Sequence, residues 1–125
     1  MATVKATKEN FTDLVNQNGT VLVDFWASWC GPCRMFAPVF EGAAEKHPDM
    51  VFAKVDTEAE PELAGAFGIM SIPTLMVLRD QVIVYSQAGA LPAHALEQLI
   101  EQVEELDMDE VRRQIAEAEA ASAAQ

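Results

Sequence analysis

VLVDFWASWCGPC, residues 21–33, contains both cysteines of a 125-residue chain. Its first seven residues, 21–27, form a nearly continuous apolar run, which predicts a β-strand covered on both faces. From Cys33 to about His47 apolar residues recur at helical spacing, so the cysteine pair stands between a buried strand and a helix. The residues at this spacing are Met35, Phe36, Val39, Phe40, Ala43 and Ala44. This context favours a redox-active dithiol.

Three other interpretations of the cysteine pair remain open: a structural disulfide, half of a zinc site, and two inert buried cysteines. A disulfide across so short a loop constrains the unfolded chain little. A zinc site needs four ligands, and only His47 and His94 remain, both outside the usual ligand spacing. We expect both histidines to be ordinary surface residues.

The length and the charge limit the possible functions. The chain falls in the common size range of a single domain. Eight basic and 20 acidic side chains give a net charge of −12, which lacks the positive field that nucleic-acid binding requires. No apolar run approaches the length of a membrane span, and the start, MATVKATKENF, has no secretion-signal pattern. The expected location is therefore the cytoplasm, where structural disulfides are rare.

Strands and helices alternate along the chain. The patterns predict the order β-α-β-α-β-α-β-β-α. Strands that alternate with helices predict parallel crossovers, whereas the last two strands have a connection short enough only for an antiparallel hairpin. We therefore expect an α/β fold, with a central mixed β-sheet flanked by helices on both faces.

The C-terminal end differs in composition. The apolar stripe changes phase near Asp107, which predicts a domain of residues 1–106 and an acidic, Ala/Glu-rich tail of residues 107–125. Asp107 and Glu110 resemble a capping box. We expect the tail to be a fraying helix that either solubilises the protein or binds a partner.

The predicted position of Cys30 at the start of a helix suits thiol chemistry. Unpaired N–H groups and the helix dipole favour an anion there, and the thiolate is the nucleophilic form of cysteine. Cys33 lies one turn further along, where it can attack a mixed disulfide formed at Cys30. Pro32 loses no hydrogen bond in the first turn, and Gly31 leaves room for a partner chain.

Four stretches together, VLVDFWASWCGPCRMFAPVFE, AKVDTE, FGIMSIPTLMVL and AGAL, strongly resemble the thioredoxin family over about residues 4–105. The resemblance implies the thioredoxin fold, with an extra C-terminal helical tail outside it. It also implies a general protein-disulfide reductase that works by dithiol–disulfide exchange through Cys30 and Cys33 and binds no cofactor.

The resemblance further implies roles for residues near the cysteines. Cys30 corresponds to an exposed attacking cysteine and Cys33 to a buried resolving one. Asp24 matches a buried aspartate that accepts the proton of Cys33, and burial should raise its pKa. Lys54 matches the partner of this aspartate, and Pro73 matches a cis-proline that faces the active cysteine. The alternatives are a solvated Asp24 and a surface Lys54 without a role.

A shallow apolar docking surface is implied as well, at which the backbone of Ile72 would pair with an extended substrate. Its expected members are Trp29, Gly31, Pro32, Ile72, Gly89 and Ala90. Trp26 is assigned to core packing. Met70 occupies a variable position that is a candidate for tuning partner choice, and Asp80-Gln81 lacks the glycine usual in that hairpin turn.

The implied electron source is NADPH, through a flavin-containing thioredoxin reductase. The expected recipients are ribonucleotide reductase, peroxiredoxins and methionine sulfoxide reductase, and the protein is expected to be a monomer without nucleic-acid or membrane partners. One alternative is a disulfide oxidase or isomerase, against which the Gly-Pro pair and the cytoplasmic context argue. The other is a redox-independent interaction subunit of a larger complex, supported only by the acidic tail.

Overall fold

The computed structural model describes residues 2–124, which form ten elements. The strands are β1 (Val4–Lys5), β2 (Thr20–Trp26), β3 (Val51–Asp56), β4 (Thr74–Arg79) and β5 (Val82–Ala88). The helices are α1 (Phe11–Val15), α2 (Gly31–Lys46), α3 (Pro61–Ala66), α4 (Ala93–Glu104) and α5 (Met108–Ala123). The predicted order is confirmed, including a separate helix in the tail. Within this part of the chain, no helix is long and apolar enough to cross a membrane.

The five strands form one mixed sheet in the order β1-β3-β2-β4-β5. β1, β3 and β2 are parallel, whereas β4 is antiparallel to both β2 and β5. On one face, Phe36 and Phe40 of α2 and Leu96 of α4 pack against the sheet. On the other, Phe11 of α1 and Leu63 of α3 do so. The expected mixed sheet, with helices on both faces, is confirmed.

The direction of β4 differs from the parallel crossover that the alternating pattern predicted. The six residues of α3 span about 9 Å, whereas the six residues of β3 span about 20 Å. The segment between β3 and β4, residues 57–73, contains this short helix and returns the chain to the end of the sheet where β3 finishes. Thr74 at the start of β4 therefore lies opposite Phe25 near the end of β2, beside the cysteine loop.

The tail helix α5 lies beside the edge strand β5, and the apolar groove between them is lined by Ile83, Val84, Val111 and Ile115. Asp107 is the N-cap and accepts hydrogen bonds from the N–H groups of Asp109 and Glu110, at 3.1 and 3.2 Å. The predicted break near Asp107 is thus confirmed. The capping box forms only in part, because the Glu110 carboxylate pairs with Arg113.

The hairpin between β4 and β5 turns at Asp80 and Gln81, which have positive φ angles of 49° and 72°. This left-handed conformation favours glycine, so the missing glycine has a local cost. Asp80 accepts the Gly19 N–H at 2.7 Å and donates its own N–H to the Gly19 carbonyl at 2.9 Å. Its carbonyl also accepts from Arg112 of α5 at 3.0 Å, so the tail helix supports this turn.

We expect Gln81→Gly to raise the free energy of unfolding by about 1 kcal/mol, since glycine adopts a positive φ without a Cβ clash. Urea unfolding followed by tryptophan fluorescence measures the difference. Gln87→Gly is the matched control: Gln87 is exposed in the regular part of β5, where glycine weakens a strand. A Gln81→Gly protein no more stable than the wild type would show that the turn is not strained.

Candidate active site

The two cysteines occupy the junction between β2 and α2. Cys30 is the N-cap of α2, and its sulfur accepts the backbone N–H of Cys33 at 3.2 Å. The two residues are joined by a disulfide, with their Cα atoms 5.2 Å apart. Pro32 lies in the first turn of α2, where its missing N–H removes no helical bond. The predicted placement of the pair at a helix start is confirmed.

Access to the disulfide is narrow. Cys30 is only 5% exposed and Cys33 only 3%, so the expectation of an openly exposed Cys30 is wrong for the oxidised protein. Trp26 and Ile72 pack against the pair. A partner must therefore reach the sulfur of Cys30 through a small opening at the surface.

The loop before β4 forms one wall of this opening. The Ile72–Pro73 peptide bond is cis, as the family resemblance implied. The Ile72 carbonyl oxygen lies 3.7 Å from the Cys30 sulfur. The Pro73 carbonyl accepts the Gly89 N–H at 2.8 Å, which ties residues 89–90 to the same end of the sheet.

The expected docking residues thus come together from three parts of the chain. Trp29, Gly31 and Pro32 belong to the cysteine loop, Ile72 lies against the disulfide, and Gly89 and Ala90 are exposed after β5. Trp29 is 65% exposed, and its Nε1–H donates to Glu58 at 2.8 Å. Glu58 is 29 residues away in the chain, and nothing in the sequence pattern indicated this contact.

Two exposed methionines extend the apolar surface near the site. Met70 is 93% exposed two residues before Ile72, and Met35 is 74% exposed two residues after Cys33. The helical spacing had placed Met35 with the buried residues of α2, which is wrong. Met35 lies about 100° around the helix from the buried Phe36 and so outside the buried stripe.

Asp24 is buried near the middle of β2, with 1% of its surface exposed. Among residues 2–124, neither carboxylate oxygen has a hydrogen-bond partner. Burial raises the pKa of Asp24 to about 7, and the positive charge of Lys54 opposes this rise. Leu22 packs against α2, and Asp24, two residues further along the strand, points to the same face. The alternative of a solvated Asp24 is therefore wrong.

Lys54 is the partner of Asp24 in the ladder between β2 and β3. Its Nζ atom lies over the ring of Trp26, 5.2 Å from the ring centroid. Trp26 is half-buried, and its Nε1–H is buried without a hydrogen-bond partner in the described part of the chain. The structure therefore joins Asp24, Lys54 and Trp26 in one cluster, of which the sequence indicated only the first two.

The two histidines lie away from the disulfide. His47 is partly exposed at the surface, and its Nε2 lies 2.9 Å from the Glu97 carboxylate, which links α2 to α4. His94 is exposed, as expected. Within residues 2–124, no group of three or more His, Cys, Asp or Glu side chains is arranged to hold a metal ion.

A disulfide at a helix start can be opened by an incoming thiolate and closed again by exchange, so the protein itself carries two electrons. Asp24, whose pKa burial raises to about 7, changes its protonation state near neutral pH. The fold and the site therefore define a thiol–disulfide oxidoreductase.

Comparisons with known proteins give the family. The thioredoxin family model matches residues 2–102. A putative thioredoxin 2 from Streptomyces coelicolor is 62% identical over 119 residues, which cover 95% of this chain and 89% of that protein. The Bacillus subtilis thioredoxin is 46% identical over 101 residues, 80% of this chain and 96% of that protein. A mutant thioredoxin from Halobacterium salinarum NRC-1 superposes with a TM-score of 0.76 and 36% identity, covering 83% of this chain and 92% of that one. This chain belongs to the thioredoxin family.

Family membership establishes the general activity. The protein is a protein-disulfide oxidoreductase that reduces disulfides by dithiol–disulfide exchange, and its redox-active group is the Cys30–Cys33 disulfide. Members of this family act on disulfide-containing proteins and are reduced by thioredoxin reductase. The Streptomyces match is long enough to extend into residues 107–125, although the family model ends at residue 102.

Proposed function

We propose that Cys30 is the attacking cysteine and Cys33 the resolving cysteine of a general protein-disulfide reductase. The supporting observation is the asymmetry of the pair: the Cys30 sulfur lies at the N-cap and accepts an N–H bond, whereas Cys33 lies inside the helix. N–H groups at this position stabilise a thiolate. In the reduced protein, the Cys30 thiolate attacks one sulfur of a target disulfide. The target's S–S bond breaks, and its second sulfur leaves as a thiolate that takes a proton from water.

The second step closes the disulfide that the structure contains. Asp24 takes the proton of the Cys33 thiol, and the Cys33 sulfur attacks the sulfur of Cys30. The bond between Cys30 and the target breaks, and the target's other sulfur leaves as a thiolate that takes a proton from water. The target has then gained two electrons. The raised pKa of Asp24 supports its role as the base. Lys54, beside Asp24 on β3, is proposed as its charge partner.

The substrate is proposed to dock as an extended segment against the backbone of Ile72 before Pro73. The proposed contact surface consists of Trp29, Gly31, Pro32, Ile72, Gly89 and Ala90. The proximity of the Ile72 carbonyl to the Cys30 sulfur supports this arrangement, because a paired segment would pass directly over the disulfide.

The same proposal includes the specific electron donor and the specific target proteins. Electrons would come from NADPH through a flavin-containing thioredoxin reductase and pass to ribonucleotide reductase, peroxiredoxins or methionine sulfoxide reductase. We propose a monomer that works in the cytoplasm, with residues 1–106 as the redox domain and residues 107–125 as a solubilising tail. The family activity and the net charge of −12 support these assignments.

Trapping tests which cysteine attacks. Reduced Cys33→Ser is expected to form a stable mixed disulfide with insulin, because serine cannot complete the exchange. Non-reducing electrophoresis and peptide mapping identify the bond. Cys30→Ser is the matched control and should trap at least about 100-fold less, since it lacks the attacking sulfur. Equal trapping through Cys33 in that control would reverse the two roles.

A further inference from the structure

The Lys54 ammonium has two competing partners on one face of the sheet. Trp26 lies two residues beyond Asp24 on β2, so both side chains point to the face that Lys54 shares. The ammonium lies over the Trp26 ring. No ion pair found within residues 2–124 includes Lys54, and the Asp24 carboxylate has no hydrogen-bond partner there. The ammonium is therefore held by the indole and not by the carboxylate.

A cavity of about 520 Å³ beside Trp26 gives the Lys54 side chain room for other positions. Besides these two residues it is lined by Thr3, Lys5, Glu41 and Asp56. Lys5 is the strand partner of Lys54 on β1 and repels its ammonium from that side, while Glu41 is engaged by the hydroxyl of Thr3. The attraction of the ring is thus one of the forces that select the observed position.

We propose that Trp26 is a positioning residue whose ring keeps the Lys54 ammonium out of contact with Asp24, so that the buried carboxylate remains basic enough to take the proton of Cys33. This inference rests on the proposed role of Asp24. It assigns a function to a tryptophan that the sequence assigned to packing.

The position of the Lys54 ammonium depends on how its attraction to the Trp26 ring compares with its attraction to the Asp24 carboxylate. A cation over a tryptophan ring gains about 0.5–2 kcal/mol. An ammonium in contact with a carboxylate lowers the pKa of that carboxylate by about 1 to 3. Asp24 has a pKa of about 7 in this structure. If the Lys54 ammonium were in contact with its carboxylate, this pKa would be lower and Asp24 would be a weaker base. The other ionisable groups that line the cavity beside Trp26 and Lys54 are Lys5, Glu41 and Asp56. In the proposed mechanism, the reduced Cys33 is the group that gives its proton to Asp24.

The carboxyl carbon of Asp24 can be titrated by ¹³C NMR in the oxidised protein, without turnover. We expect the midpoint to fall by about 1 pH unit in Trp26→Leu, because the released ammonium reaches the carboxylate. Trp26→Phe keeps a ring that attracts a cation more weakly than indole does. The Asp24 midpoint in this variant should therefore lie between those of the wild type and Trp26→Leu. An unchanged or higher midpoint in the variants would overturn the proposal.

Lys54→Met separates an effect of the ammonium from a loss of burial around Asp24. In the Lys54→Met background, replacing Trp26 should leave the midpoint unchanged, since no ammonium remains to be released. The same fall in both backgrounds would mean that Trp26 only shields the carboxyl from water, and would overturn the proposal. If Trp26→Leu does not fold, Trp26→Phe can replace it in the double-mutant cycle with Lys54→Met. The expected fall of the Asp24 midpoint is then smaller.

Kinetic measurements distinguish the proposed role of Trp26 from the proposed role of Asp24 on which it rests. In Trp26→Leu, the acid limb of the rate of mixed-disulfide resolution should move to lower pH with the Asp24 midpoint. If Asp24→Asn resolves the mixed disulfide as fast as the wild type, the proposed role of Asp24 fails. The NMR cycle would still show whether Trp26 controls the position of the ammonium.

Discussion

Cys30→Ser is expected to lower the rate of insulin-disulfide reduction by at least about 1,000-fold. A serine hydroxyl at the helix start cannot form the mixed disulfide, so no electrons leave the protein. Serine is itself a favoured N-cap residue whose hydroxyl can accept the Cys33 N–H in place of the sulfur, so the variant should keep its fold. The assay follows the precipitation of the insulin B chain with dithiothreitol as the electron donor.

Ser28→Ala is the matched control for this measurement. Ser28 is exposed two residues before Cys30, and its carbonyl, which alanine retains, accepts a hydrogen bond from Arg34. We expect this variant to reduce insulin at the wild-type rate. Wild-type activity in Cys30→Ser would end the assignment of Cys30 as the attacking residue.

Asp24→Asn is expected to change how the free energy of unfolding depends on pH. This is the second largest effect that we predict. The pKa of Asp24 is about 7 in the folded protein, against 3.8 for an unperturbed aspartate. Between these values the folded state holds a proton on Asp24 that the unfolded state has released. The Asp24 carboxyl therefore stabilises the folded state fully below pH 3.8, and this stabilisation is lost as the pH rises through 7. The loss totals about 4 kcal/mol.

The asparagine variant has no such proton to lose. We therefore expect its free energy of unfolding, relative to the wild type, to rise by about 4 kcal/mol between pH 4 and pH 8. Urea unfolding of the oxidised proteins at several pH values measures this difference. Asp49→Asn, at an exposed aspartate, should follow the wild-type pH dependence. If Asp24→Asn did the same, the buried carboxyl would not have a raised pKa.

Local sequence patterns were sufficient to predict most of the architecture. The apolar run at 21–27 predicted β2, and the helical spacing after Cys33 predicted α2. These patterns predict well because they depend on residues that are close in the chain. The direction of β4 was mispredicted because it depends on the end of the sheet to which residues 57–73 return the chain, and no local pattern indicates that end. The exposed Met35 was mispredicted because it lies outside the buried stripe of its helix.

The candidate site divides in a similar way. The placement of Cys30 at the helix start followed from the motif alone, whereas the cis bond before Pro73 was expected only through the family resemblance. The hydrogen bond from Trp29 to Glu58 had no signal in the sequence. It joins two segments that become neighbours only after the sheet has formed.

By itself, the sequence determined that two sulfurs stand where a buried strand turns into a helix, because this arrangement needs only neighbouring residues. Only the tertiary structure determined the state of Asp24. Its pKa depends on the burial that α2 provides and on the charge of Lys54, which comes from another strand and lies over Trp26. Solvation and electrostatic fields depend on distances in space, and the chain brings these groups together only when it folds.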